Sequence, residues 1–135
     1  MVIELILRLI ISVLLGALIG MEREWAKKPA GLRTHMLVSL GSCLFTIISI
    51  NFFQMDPARV TAGIVTGIGF LGAGTIIGSG SKVKGLTTAA SLWVIAAIGV
   101  GVGIGNSESY LLSFITAVLV FFILQLGKIE RSIEY

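Results

Sequence analysis

Five apolar stretches follow one another along the chain, each close to the ~20 residues a helix needs to cross a ~30 Å hydrocarbon core. They fall at about 1–20, 35–53, 60–78, 86–103 and 109–127 of 135 residues. The connections between them are short, the longest being 21–34, so no extramembrane catalytic domain fits. Composition points the same way: 56% of residues are hydrophobic and 13% charged, against roughly 45–50% and about 25% in soluble domains. The expected fold is all-α, an integral membrane helical bundle of five transmembrane helices forming one domain over 1–135. The chain stops at Tyr135, so no soluble C-terminal domain is expected.

The net charge of +3 does not imply nucleic acid, because the cations sit in clusters between apolar runs. Arg23, Lys27, Lys28, Arg33, Lys82, Lys84, Lys128 and Arg131 share one side of a five-span chain, and Arg59 alone occupies the other. That split places the N-terminus outside and the C-terminus in the cytoplasm. The N-terminus opens with Glu4 instead of a basic region, so it reads as a span and not as a cleaved leader. Asp56-Pro57 reads as an N-cap and first helical proline. Ser107-Glu108 starts the fifth helix in a similar way, and Pro29-Ala30-Gly31 breaks any extension of the first.

Gly67-Ile68-Gly69-Phe70-Leu71-Gly72 matches a dinucleotide fingerprint literally, but it lies inside a predicted span where that fold cannot form. The glycines have a better use in close helix packing, at Gly67, Gly69, Gly72 and Gly74 in span 3 and at Gly16 and Gly20 in span 1. An unwound Gly67–Gly74 segment is the alternative. A leucine at Gly67, Gly69 or Gly72 is then expected to be among the most damaging changes. Ala117→Leu, on a fifth helix read as lipid-facing, is expected to be mild.

Charge within the membrane is costly and marks candidate sites. Arg8 is such a residue, at i, i+4 from Glu4. The densest polar group is Glu22, Arg23, Glu24, Arg33 and His35, with Lys84, Thr87 and Thr88 arriving on the same side. Helices 2 and 4 both begin there, and their positive ends favour an anionic ligand, a lipid head group or an acidic partner. Lys27 reads as a solvated loop position. One histidine and one cysteine leave no metal motif and no nucleophile–base spacing, so no catalytic residue, metal or cofactor is expected. A magnesium cage from Glu22 and Glu24 is opposed by the basic excess.

Gly16 to Trp25 (GALIGMEREW), Ala30 to His35 (AGLRTH), Asp56 to Arg59 (DPAR), Gly67 to Ile76 (GIGFLGAGTI) and Val83 to Trp93 (VKGLTTAASLW) occur in that order. Together they resemble the MgtC/SapB family, specifically its hydrophobic N-terminal region. The resemblance implies a multi-pass protein of the bacterial inner membrane, linked to growth under magnesium limitation and to virulence. It implies a regulator of other membrane complexes more than a magnesium transporter, and no enzymatic activity is expected. Its expected partners are membrane lipids, other membrane proteins and a second copy in a homodimer or small oligomer, but no nucleic acid. Many members carry glutamine where this chain has Gly63. An ion or small-solute transporter using a glycine-rich unwound third helix is the alternative.

Overall fold

The computed structural model describes residues 1–53, 56–79 and 82–133. It contains five helices, α1 (Val2–Trp25), α2 (Leu32–Phe52), α3 (Pro57–Ala73), α4 (Leu86–Ile104) and α5 (Ser107–Ile133). A small antiparallel hairpin, β1 (Ile77–Ser79) and β2 (Lys82–Lys84), joins α3 to α4. Among the described residues, α1, α2, α4 and α5 are long and apolar enough to cross a membrane. At 17 residues α3 reaches only about 25 Å, yet it still traverses the bundle. Its start meets the end of α2, where the Ser49 hydroxyl donates to the Pro57 carbonyl (3.3 Å). Gly72, near its other end, lies against Ala89 at the start of α4.

The third apolar stretch therefore divides differently from the expected span at 60–78. The helix starts at Pro57 and ends at Ala73, and Ile77 and Gly78 belong to the hairpin. An apolar run cannot by itself distinguish the end of a helix from a short strand. Helical backbone is continuous from Gly67 to Ala73, so unwinding is confined to Gly74 and beyond. At the far side of the hairpin Gly85 has φ +93°, and a Cβ there would strike the Thr75 carbonyl. Only glycine satisfies both conditions.

Helix α4 packs against all four other helices, and α2 lies between it and α1. Helix α2 runs antiparallel to α1 and parallel to α4, and both neighbours approach it through glycine. A Cβ on Gly16 would stand 2.8 Å from the His35 carbonyl oxygen, and one on Gly20 2.8 Å from Leu32 Cα. On the other flank, a Cβ on Gly103 would stand 2.8 Å from the Cys43 carbonyl oxygen. Gly99 is held even more tightly against Ser39. Between these contacts α2 buries His35, Ser39, Ser42, Thr46 and Ser49. Their spacing of four and three residues makes one continuous helical face, so the middle of this membrane bundle is polar and small-sided. Apolar packing surrounds it, with Ile19, Ile95, Ile98, Ala117 and Leu124 forming one cluster.

Three local expectations change. Ala117 is fully buried in that cluster, so it does not face lipid. The turn into α5 is capped by Asn106 and Ser109, not by Ser107. Asn106 Oδ1 accepts the Ser109 N–H (2.8 Å), and Ser109 Oγ accepts the Asn106 N–H (3.2 Å), a reciprocal capping box. Finally, Gly67 and Gly69 make no close crossing: a Cβ at either meets nothing within 4 Å. They lie on the outward side of α3, and Gly67 borders an apolar groove shared with α2. Gly72 makes ordinary contact with Ala89, and Gly74 lies near its own helix's carbonyls.

Candidate functional site

The end of the bundle that holds the C-terminus of α1 and the N-termini of α2 and α4 gathers most of the predicted polar residues. It divides them into a buried group and an open cavity.

The buried group begins with neighbours in sequence. Arg23 Nε donates to Glu22 Oε2 at 2.6 Å, and both side chains are almost fully buried. Among the described residues, Glu22 Oε1 and Arg23 Nη1 have no hydrogen-bond partner, and neither does the buried Ser39 hydroxyl. His35 is fully buried between α1 and α4. Its Nδ1 donates to the Gly31 carbonyl (2.9 Å), and its Nε2 shares a hydrogen bond with the Ser91 hydroxyl (2.9 Å). The Ser91 hydroxyl also lies 2.8 Å from the carbonyl of buried Thr88, so its one proton serves either that carbonyl or His35 Nε2. His35 thus ties the first turn of α2 to the first turns of α4. A buried ion pair carries a large desolvation cost and is strongly destabilised when one member is lost. These residues are consequently fixed parts of the bundle.

The open cavity forms where α1 turns into α2. Helix α1 ends with Lys27 at φ +54°. The Lys27 N–H bonds to the Glu24 carbonyl (3.0 Å), and the Lys28 N–H bonds to the Arg23 carbonyl (3.0 Å). This is a Schellman ending with lysine where glycine is usual. The chain then folds back, and Glu24 Oε2 accepts the Leu32 N–H at the head of α2 (3.0 Å). Glu24, Lys27, Lys28, Pro29, Gly31, Arg33 and Thr34 enclose a polar cavity of about 410 Å³. Lys27 is exposed, in keeping with its reading as a solvated position, and it also borders this cavity. Glu22 and Glu24, the two carboxylates offered to a cation, are turned to different partners. Lys84 and Thr87 are exposed at the same end, outside the lining of this cavity.

Arg8 belongs to the opposite end. Its guanidinium pairs with Glu4 and donates to the Gly103 and Ile104 carbonyls (3.1 and 3.3 Å). These are terminal carbonyls of α4, so the cation completes a helix C-terminus in place of water. It covers Gly105, whose φ of +76° turns the chain and whose missing side chain leaves room for the guanidinium. An arginine within a span needs such oxygens, but their position on α4 carried no signal in sequence.

Residues 9–132 match the MgtC family. The chain belongs to the MgtC family. Protein MgtC of Salmonella typhimurium is 50% identical over 106 residues, covering 78% of this chain and 46% of the relative. The protein of Escherichia coli K12 named putative magnesium transporter YhiD is 46% identical over 114 residues, covering 78% and 53%. An uncharacterized protein of Synechocystis is 48% identical over 103 residues, covering 76% and 44%. The chain thus spans about half the length of the curated relatives it matches. No solved structure matches it. These relatives bear out the resemblance read from the motif blocks, and with them the description of the chain as a multi-pass helical membrane protein of this family.

Proposed function

We propose that this MgtC-family chain is a non-enzymatic protein of the bacterial inner membrane that acts through its basic end, facing the cytoplasm. There it regulates other membrane complexes during adaptation to low magnesium or intracellular stress. The observation that carries the reading is the sorting of charge at that end. Glu22, Arg23 and His35 are consumed in buried contacts, whereas Arg33, Lys27, Lys28 and Lys84 remain at the rim. Such a rim offers cationic donors for recognition. The eight-to-one distribution of cations supports its cytoplasmic placement.

The test is complementation at low magnesium in a bacterium lacking its own family member, at matched membrane abundance. Arg33→Gln should remove growth support, and Arg59→Gln, with equal charge loss at the opposite end, should keep it. Equal damage from both would leave bulk charge as the explanation and end the site reading. Transport is the second reading, favoured by the buried polar face of α2 and by the name of the Escherichia coli relative. Liposomes holding only this chain distinguish the two: a regulator gives no magnesium flux, and a transporter does.

A further inference from the structure

The cavity at the α1–α2 turn has an asymmetric lining. Lys27, Lys28 and Arg33 supply cationic donors from both sides of the turn, and Thr34 adds a hydroxyl. The single acidic group in the lining, Glu24, does not lie among the lysines as a free counter-charge. Its Oε2 is bonded to the Leu32 N–H. Gly31 makes that seat possible, since a Cβ there would collide with Glu24 Oε2.

We propose that this cavity binds a phosphate-bearing anion and that Glu24 is its tethered competitor, which the anion must displace. The inference rests on the reading of the basic end as the acting face and gives that face a ligand class. Arginine presents a planar fork that matches phosphate oxygens, and lysines add mobile point charges. Three cations against one carboxylate disfavour a metal ion. A free phosphate and the phosphate of an anionic lipid share this chemistry, and the cavity's place at a membrane-spanning helix terminus makes either accessible. Glu24 holds the cavity closed to weak anions by occupying a backbone donor and cancelling one positive charge. A phosphate carrying more charge and more acceptor oxygens replaces both functions.

Two substitutions weaken the competitor by different routes. Glu24→Gln removes its charge but keeps an oxygen for the Leu32 N–H. Gly31→Ala keeps the charge and forces the carboxylate out of its seat. The whole chain is purified in maltoside micelles free of phospholipid, and inorganic phosphate is titrated by calorimetry. In a parallel arm without phosphate, phosphatidylglycerol is added and retained lipid is counted by native mass spectrometry. Both variants should bind more tightly than the parent by about tenfold, the size of one charge-assisted contact. Arg33→Gln and Lys28→Gln should bind more weakly, and Arg59→Gln should match the parent. The arm that shows this order identifies the source as free phosphate or lipid. The proposal is overturned if Glu24→Gln and Gly31→Ala bind no better than the parent in either arm, or if Arg59→Gln weakens binding as much as Arg33→Gln. Growth support separates the two claims. If Arg33→Gln abolishes growth support but no anion binds, the ligand inference fails and the regulator reading stands. If binding follows the expected order and Arg33→Gln still supports growth, the inference holds and the regulator reading falls.

Discussion

Glycine in this bundle falls into two physical classes, and alanine substitution should separate them sharply. At Gly16 an added Cβ would lie 2.8 Å from the His35 carbonyl oxygen and 2.9 Å from Met36 Cα. Ordinary contact begins at 3.4 Å, so α1 and α2 would have to part by about 0.6 Å. Both obstacles are backbone, which cannot swing aside as a side chain can. Overpacking of this kind costs ~1–3 kcal/mol, and in lipid the lost close contact is itself the principal force holding the helices together. At Gly67 the added methyl meets nothing, and alanine improves helix propensity by up to about 1 kcal/mol. Gly16→Ala and Gly67→Ala should therefore differ by about 2–4 kcal/mol and in opposite directions. Thermal and sodium dodecyl sulfate unfolding of the micelle-solubilised protein, followed by tryptophan fluorescence, would read both changes. A Gly67→Ala midpoint that falls as far as that of Gly16→Ala would refute the division, and with it the outward placement of this face of α3.

Further outcomes follow from the buried contacts. Glu22→Gln leaves Arg23 buried without its counter-ion and should cost ~3–5 kcal/mol; the double change with Arg23→Gln should recover part of that loss in a double-mutant cycle. Ala117→Leu should destabilise by ~1–3 kcal/mol, because the site is filled by Ile19, Ile95, Ile98 and Leu124; Leu119→Ala, on an exposed face, should change the unfolding midpoint little. Arg8→Gln should lower thermal stability more than Glu4→Gln, since only Arg8 reaches the α4 carbonyls. Gly85→Ala should cost at least ~1–2 kcal/mol from its left-handed backbone alone, with a further penalty from the Thr75 carbonyl, measurable in the same unfolding experiment.

The sequence and the structure agree where length and hydropathy dominate. Five helices follow from five apolar runs, and Pro57 opens α3 because proline fits a first helical turn and little else in a span. The disagreements arise where partners decide. Nothing in the run of α3 distinguishes Gly67, which faces outward, from Gly20, which faces α2, since both are glycines at similar spacing. Glu22 and Glu24 look equivalent until the α1 ending turns one inward and brings the other to Leu32. One overlooked signal was present: His35, Ser39, Ser42, Thr46 and Ser49 repeat at four and three residues, a polar face written into an otherwise apolar run. Lys27 is exposed as its sequence reading expects, but the left-handed conformation in which it terminates α1 carries no signal in a lysine.

That polar face has a consequence for how the protein is made. Synthesis delivers α2 to the membrane together with α1, so the Gly16 and Gly20 side can be sheltered at once. The opposite flank, around Ser39, Ser42 and Thr46, faces Gly99 and Gly103, and these emerge only after α3 and the hairpin. Until then the flank would confront acyl chains or must stay within the insertion machinery. Lipid release of α2 should therefore wait for α4, which makes the glycine seam of α4 a checkpoint in biogenesis. A nascent chain arrested just before α4 should remain cross-linkable to the translocon through α2.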